Sequence, residues 1–106
     1  MVISNATIHE KVAAGELDFT VHAVFEAAED YIFVSEVEQA LLSGEIIEDD
    51  PPRSRCIVCG RISPSGLVHV VVEYADWLVD NQSNLVVVTV YRPDPERWID
   101  GRVRKT

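Results

Sequence analysis

The sequence predicts an α+β domain, two N-terminal helices packed on a four-stranded antiparallel sheet. Three observations predict it: helical spacing of apolar residues in the first half, short strand-like runs in the second, and an ordinary globular composition. Apolar residues make up 47% of the 106-residue chain and charged residues 25%, with five Gly and five Pro. Those fractions exclude disorder, collagen-like repeats and a disulfide-dense miniprotein. The length suits one domain spanning residues 1–106, with a core that needs no covalent staples.

Val21, Phe25, Ala28 and Ile32 follow one another at spacings of four, three and four. That stripe predicts a helix from about Asp18 to Tyr31 with these residues on its buried face. Val34, Val37 and Leu41 mark a second helix, with Ser35 or a neighbour as its cap, Glu36 and Glu38 in its first turn, and Gly44 at its end. An earlier helix around Ala6–Ala14 is more weakly patterned. The first strand, Glu45–Asp49, stops at Asp50-Pro51-Pro52, because proline cannot donate to a ladder. Arg55–Ile62 is the second strand and Ser63-Pro64-Ser65-Gly66 the turn that follows it. Leu67–Tyr74 is the third, apolar on both faces as a central strand should be. Asp80–Asn84 is a loop and Leu85–Tyr91 the fourth strand. The remainder, RPDPERWIDGRVRKT, has room for a short terminal helix at most. Residues 99–106 read as a flexible basic tail.

No apolar run approaches the ~18–20 residues of a membrane span, and MVISNATIHEK lacks the pattern of a secretory signal. The expectation is a cytoplasmic protein without membrane contact. Charge is unevenly shared: residues 1–50 carry twelve acids and one Lys, residues 51–106 six acids and eight Lys or Arg. The net of −9 opposes a free-standing nucleic-acid binder, so any RNA contact falls to the strand half. Cys56 and Cys59 form a single CxxC with no second ligand pair for zinc. Lying on a strand, they point to opposite faces and serve as small apolar residues.

Gly44-Glu45-Ile46-Ile47-Glu48, Pro51, Cys56, Gly60, Leu67-Val68-His69-Val70-Val71-Val72, and Val88-Thr89-Val90-Tyr91-Arg92-Pro93-Asp94-Pro95 with Trp98 together resemble the bacterial domain of unknown function family 4258. The resemblance covers about residues 20–98. It implies a RelE/BrnT-like two-layer toxin fold and, with it, a ribonuclease activity related to toxin–antitoxin systems. Upstream the chain departs from the family pattern. It keeps His22-Ala23, but Glu26 and Asp30 stand where the family carries two arginines. Both charges are reversed, so any phosphate contact that the family's arginines make at that helix is lost here.

A metal-independent ribonuclease must activate a 2′-hydroxyl, stabilise phosphate charge and protonate a leaving oxygen, tasks suited to His, Arg and Tyr. The strand half offers Arg61, His69, Tyr91, Arg92 and Arg97. The candidate catalytic set is His69 as acid or base, Arg61 and Arg97 on the phosphate, and Tyr91 assisting, with no metal and no organic cofactor. The plain alternative for His69 is a hydrogen-bonded sheet histidine. If Ile62 pairs Leu67 across a four-residue loop, His69 sits opposite Gly60 and away from Arg61; one residue more or less reverses that. His22, Glu26 and Glu29 form a helical stripe that suits either a metal or a surface pair. Tyr91 and Trp98 either stack a base or clamp the tail. Two functions follow: a metal-independent endoribonuclease or a degenerate relative of one, acting on RNA, or a non-catalytic module whose acidic helical half meets a basic protein partner or a second copy.

Overall fold

The computed structural model describes residues 2–62 and 66–106. The predicted turn residues Ser63, Pro64 and Ser65 lie outside the described residues. Elements run α1 (Asn5–Ala13), β1 (Leu17–Phe19), α2 (Val21–Glu29), α3 (Val34–Ser43), β2 (Glu45–Asp50), β3 (Arg55–Ile62), β4 (Gly66–Glu73), α4 (Ala75–Val79), β5 (Leu85–Tyr91), β6 (Trp98–Ile99) and β7 (Val103–Arg104). The expected meander is present: β2, β3, β4 and β5 pair in sequence, each antiparallel to the next.

Two features of the predicted architecture need correction. The sheet is five-stranded and mixed, in the order β1-β5-β4-β3-β2, because Leu17–Phe19 pairs in parallel with Leu85–Val87. Three helices, not two, precede the meander, and the short α4 follows β4. Only three residues long, β1 carries too little pattern to stand out from the start of a helix. The weakly patterned first helix is real. Ser4 caps it by accepting from the Thr7 N–H at 3.1 Å, and His9 Nε2 lies 3.1 Å from the Gly44 carbonyl, tying α1 to the end of α3.

The helices cover one face of the sheet. Val68, Val70 and Val72 of β4 pack with Cys56, Val58 and Ile62 of β3, Leu85, Val87 and Val90 of β5, and the buried sides of the helices. Gly60 lets α3 come close: a Cβ there would stand 2.0 Å from the Ala40 carbonyl oxygen. The face of α2, however, is the reverse of the one its spacing predicts. Ala23 and Ala27 are buried, whereas Val21, Phe25 and Ala28 point outward; of the predicted stripe Ile32, beyond the end of α2, is in the core. Two alanines allow α2 to lie close along β5, which a stripe containing Phe25 would not. In α3, Val37, Ala40 and Leu41 face the core. Its start is set by Phe33 rather than Ser35, the Glu36 carboxylate accepting from the Phe33 N–H at 2.9 Å. Among the described residues no helix is long and apolar enough to cross a membrane.

The C-terminal segment forms a hairpin over the other face of the sheet rather than a helix. Asp100 and Gly101 at its turn both have positive φ, +53° and +71°. Asp-Gly between Ile99 and Val103 is the signal for such a turn. The basic tail is anchored: Arg102 pairs with Glu45, and Arg104 makes a two-pronged contact with Glu48 at 3.0 and 3.2 Å.

Candidate functional site on the outer sheet face

Period-two alternation sends Arg55, Ile57, Cys59 and Arg61 of β3, and Leu67, His69 and Val71 of β4, to the face away from the helices. The register there differs from the four-residue-loop expectation. Ile62 pairs Gly66, so Arg61 stands opposite Leu67 and His69 opposite Cys59, not Gly60. The shift by one residue puts Arg61 and His69 on the same face. On the other side His69 faces Tyr91. Tyr91 reaches this face because Val88 is bulged: Val71 pairs Thr89 while Val72 pairs Val87, which changes the phase of β5 between Val87 and Val90.

His69 is fully buried and both ring nitrogens are engaged. Nε2 lies 2.5 Å from the Gly101 carbonyl and Nδ1 3.2 Å from the Tyr91 hydroxyl. A carbonyl only accepts, so Nε2 carries the proton and the neutral ring accepts from Tyr91 at Nδ1. Burial lowers the His69 pKa, opposed in part by the Gly101 hydrogen bond, and keeps the ring neutral. Burial likewise raises the Tyr91 pKa. Trp98 meets the His69 ring edge-on, with centroids 4.5 Å apart, and is itself buried. The Arg104 guanidinium lies 4.5 Å from the Trp98 ring centre. Trp98 therefore clamps the hairpin to the sheet, with one ring face taken by Arg104.

Around this clamp opens a cavity of about 210 Å³ lined by Tyr91, Arg92, Asp94, Arg97, Trp98 and Arg104. Three guanidiniums and a phenol hydroxyl line it, with Asp94 inside and Glu48 bound to Arg104. Arg97 is exposed, and Arg92 reaches the Asp30 carbonyl at 3.4 Å. Of the predicted set, Tyr91 and Arg97 thus come together. His69 lies beneath Tyr91, out of reach of anything bound, and Arg61 shares the face without lining the cavity. Sequence reasoning passed over Arg104 and the Gly101 carbonyl; the Asp100-Gly101 signal marks the turn of the hairpin that carries them.

The remaining candidates have structural partners. Glu26 reaches the edge of β5 beyond the end of β1, where its carboxylate accepts from the Thr89 hydroxyl and, at 3.3 Å, from the Val90 N–H. His22 Nε2 stands 3.2 Å from the same carboxylate. Cys56 faces the core and Cys59 the outer surface, as the strand reading requires, and both thiols are free. Desolvation pushes the Cys56 pKa up to about 12 and raises that of Cys59, so neither is a ready thiolate.

A family model described as "Domain of unknown function (DUF4258)" matches residues 19–92. No curated protein and no solved structure matches the chain. The matched span includes His69 and Tyr91 and ends just before the segment that carries Arg97, Trp98 and Arg104.

Proposed function

The chain belongs to the domain of unknown function family DUF4258, and on that premise we propose that it is a non-cleaving relative of the RelE/BrnT-type ribonucleases. Its role is to hold an RNA phosphodiester on the outer face of the sheet. The observation that carries this reading is the cavity lined by Tyr91, Arg92, Arg97 and Arg104. Guanidinium groups match phosphate oxygens with paired donors, and a phenol adds one more hydrogen bond. Asp94 and the Glu48 partner of Arg104 offset two of the three positive charges, which suits a single phosphate better than a polyanion.

The same geometry speaks against cleavage. General acid–base catalysis needs a group of near-neutral pKa within hydrogen-bond reach of the reacting atoms. His69 is buried, doubly hydrogen-bonded and shifted down, while Tyr91 is shifted up. Proton transfer from Tyr91 to His69 would create an ion pair that burial disfavours on both sides. His69 serves here as a positioning residue, fixing the Tyr91 hydroxyl and the hairpin.

The test is a labelled single-stranded RNA incubated with purified protein at roughly 50 mM salt, with and without EDTA. Binding without cleavage is expected. Arg97→Glu should weaken binding and reduce the slope of log affinity against log salt by about one. Absence of binding at that salt would overturn the RNA reading. Cleavage that survives EDTA and disappears in Tyr91→Phe would replace it with an active metal-independent nuclease.

A further inference from the structure

The outward face of α2 is the least expected surface of the molecule. Val21, Val24, Phe25 and Ala28, at helical positions i, i+3, i+4 and i+7, are all exposed, and the apolar surface continues along the chain into Tyr31, Phe33 and Val34. Phe25 is 65% exposed, Phe33 72% and Tyr31 88%. Scattered single apolar residues on a surface need no explanation, but three aromatics and three valines within fourteen consecutive residues do. Packing does not require them outside. The helix seats itself through Ala23 and Ala27, and a soluble surface would serve equally with polar residues at 21, 25 and 33.

The charge around this stripe identifies what suits it. Residues 18–38 contain six acids, Asp18, Glu26, Glu29, Asp30, Glu36 and Glu38, and no Lys or Arg. Lys11 is paired with Glu16, Arg53 with Asp50, Arg55 with Glu73, Arg102 with Glu45 and Arg104 with Glu48, away from this face, while His22 contacts Glu26 on it and Arg92 reaches the Asp30 carbonyl at its edge. A second copy meeting this face through its own α2 would set like charges against each other. An anionic lipid surface would be repelled in the same way. A helix with one apolar and one cationic side meets both requirements, laying its apolar ridge against the stripe while its Lys or Arg side chains reach the acidic border.

We infer that the α2–α3 face, centred on Phe25 and Phe33, is a docking surface for a basic amphipathic helix of a partner protein. α2 is about 13 Å long at 1.5 Å per residue, so it presents roughly two and a half turns to such a helix. The surface adjoins the Tyr91–Arg97 cavity at Arg92, whose guanidinium lies 3.4 Å from the Asp30 carbonyl, but the inference does not depend on the RNA reading.

Isotope-labelled whole chain is titrated with a synthetic Leu/Lys amphipathic helix and, separately, with its Leu/Glu counterpart, and backbone amide shifts are followed by NMR. The Leu/Lys helix is expected to shift residues 21–34 saturably, with at least a tenfold weaker affinity in Phe25→Ser/Phe33→Ser. Glu29→Lys should weaken it severalfold, and added salt should do the same. Because the substituted side chains are exposed, amide spectra of the free variants should match the parent outside the substituted region, which separates lost binding from lost folding. Equal binding of the Leu/Glu helix would overturn the inference in favour of unspecific apolar contact. Shifts confined to the outer sheet face would overturn it too, as would a concentration-dependent dimer through residues 21–34 or the absence of any shift there.

Discussion

Replacing His69 with Phe tests the central structural assignment. The ring remains, so its edge contacts with Tyr91 and Trp98 are kept and no large cavity opens. Both nitrogens are lost. The Gly101 carbonyl, 2.5 Å from Nε2, loses the donor that the buried His69 ring supplies, which costs about 1–3 kcal/mol. The Tyr91 hydroxyl loses its acceptor but is half-buried and can turn to water, at about 0.5–1.5 kcal/mol. A ring carbon also cannot approach a carbonyl as closely as Nε2 does, so the hairpin must lift. A loss of about 1.5–4.5 kcal/mol follows, a large part of the ~5–15 kcal/mol typical of a domain. Urea unfolding followed by tryptophan fluorescence measures it. Limited trypsin digestion reads the hairpin directly, through faster cleavage after Arg102 and Arg104. The pH dependence supplies an independent sign. The unfolded chain's imidazole titrates near 6.5, whereas burial lowers the native His69 pKa, so below pH 6.5 the unfolded state holds more protons. The stability tied to the neutral ring is therefore complete above pH 6.5 and erodes as pH falls toward the native pKa, with a limiting slope of about 1.4 kcal/mol per pH unit. His69→Phe should remove that component of the slope. A change below about 0.5 kcal/mol, with the tail as protected as before, would refute the assignment of His69 as the anchor of the hairpin.

Glu26→Arg should destabilise the fold by about 1–3 kcal/mol, because the Val90 N–H loses its acceptor at the edge of β5; chemical denaturation reads this. Gly60→Ala should cost about 3 kcal/mol or more, since its Cβ would meet the Ala40 carbonyl oxygen at 2.0 Å and α3 would have to move off the sheet; thermal unfolding is sufficient to detect it. Neither Cys56 nor Cys59 should react with an aromatic disulfide reagent at pH 8 in the native state, while both should react in denaturant. Rapid native labelling of Cys56 would contradict its place in the core.

Much of the architecture is readable in the residues themselves. Alternating runs bounded by Pro51-Pro52, by the segment around Gly66 and by the Asp80–Asn84 loop give four consecutive antiparallel strands, because a strand's side-chain period and its stop signals are local. The opposed faces of Cys56 and Cys59 and the central place of His69 follow from the same local rule. The candidate site was legible only in part. Tyr91 and Arg97 were identifiable by type, but their meeting with Arg104 depends on a hairpin whose Asp100-Gly101 signal lies beyond the sheet.

What the tertiary structure alone decided is parity and orientation. The pairing of Ile62 with Gly66 and the extra residue at Val88 each shift a strand by one position, and with a period of two that carries every later side chain to the opposite face. Nothing in the local pattern fixes these shifts, because they are settled by which register packs the core best. The same holds for α2. Its periodicity marks a helix and two distinct faces, but the close approach to β5 selects the alanine face for burial and leaves Val21 and Phe25 outside. Hydrophobic spacing determines that a helix has sides, whereas the room available beside the sheet determines which side goes in.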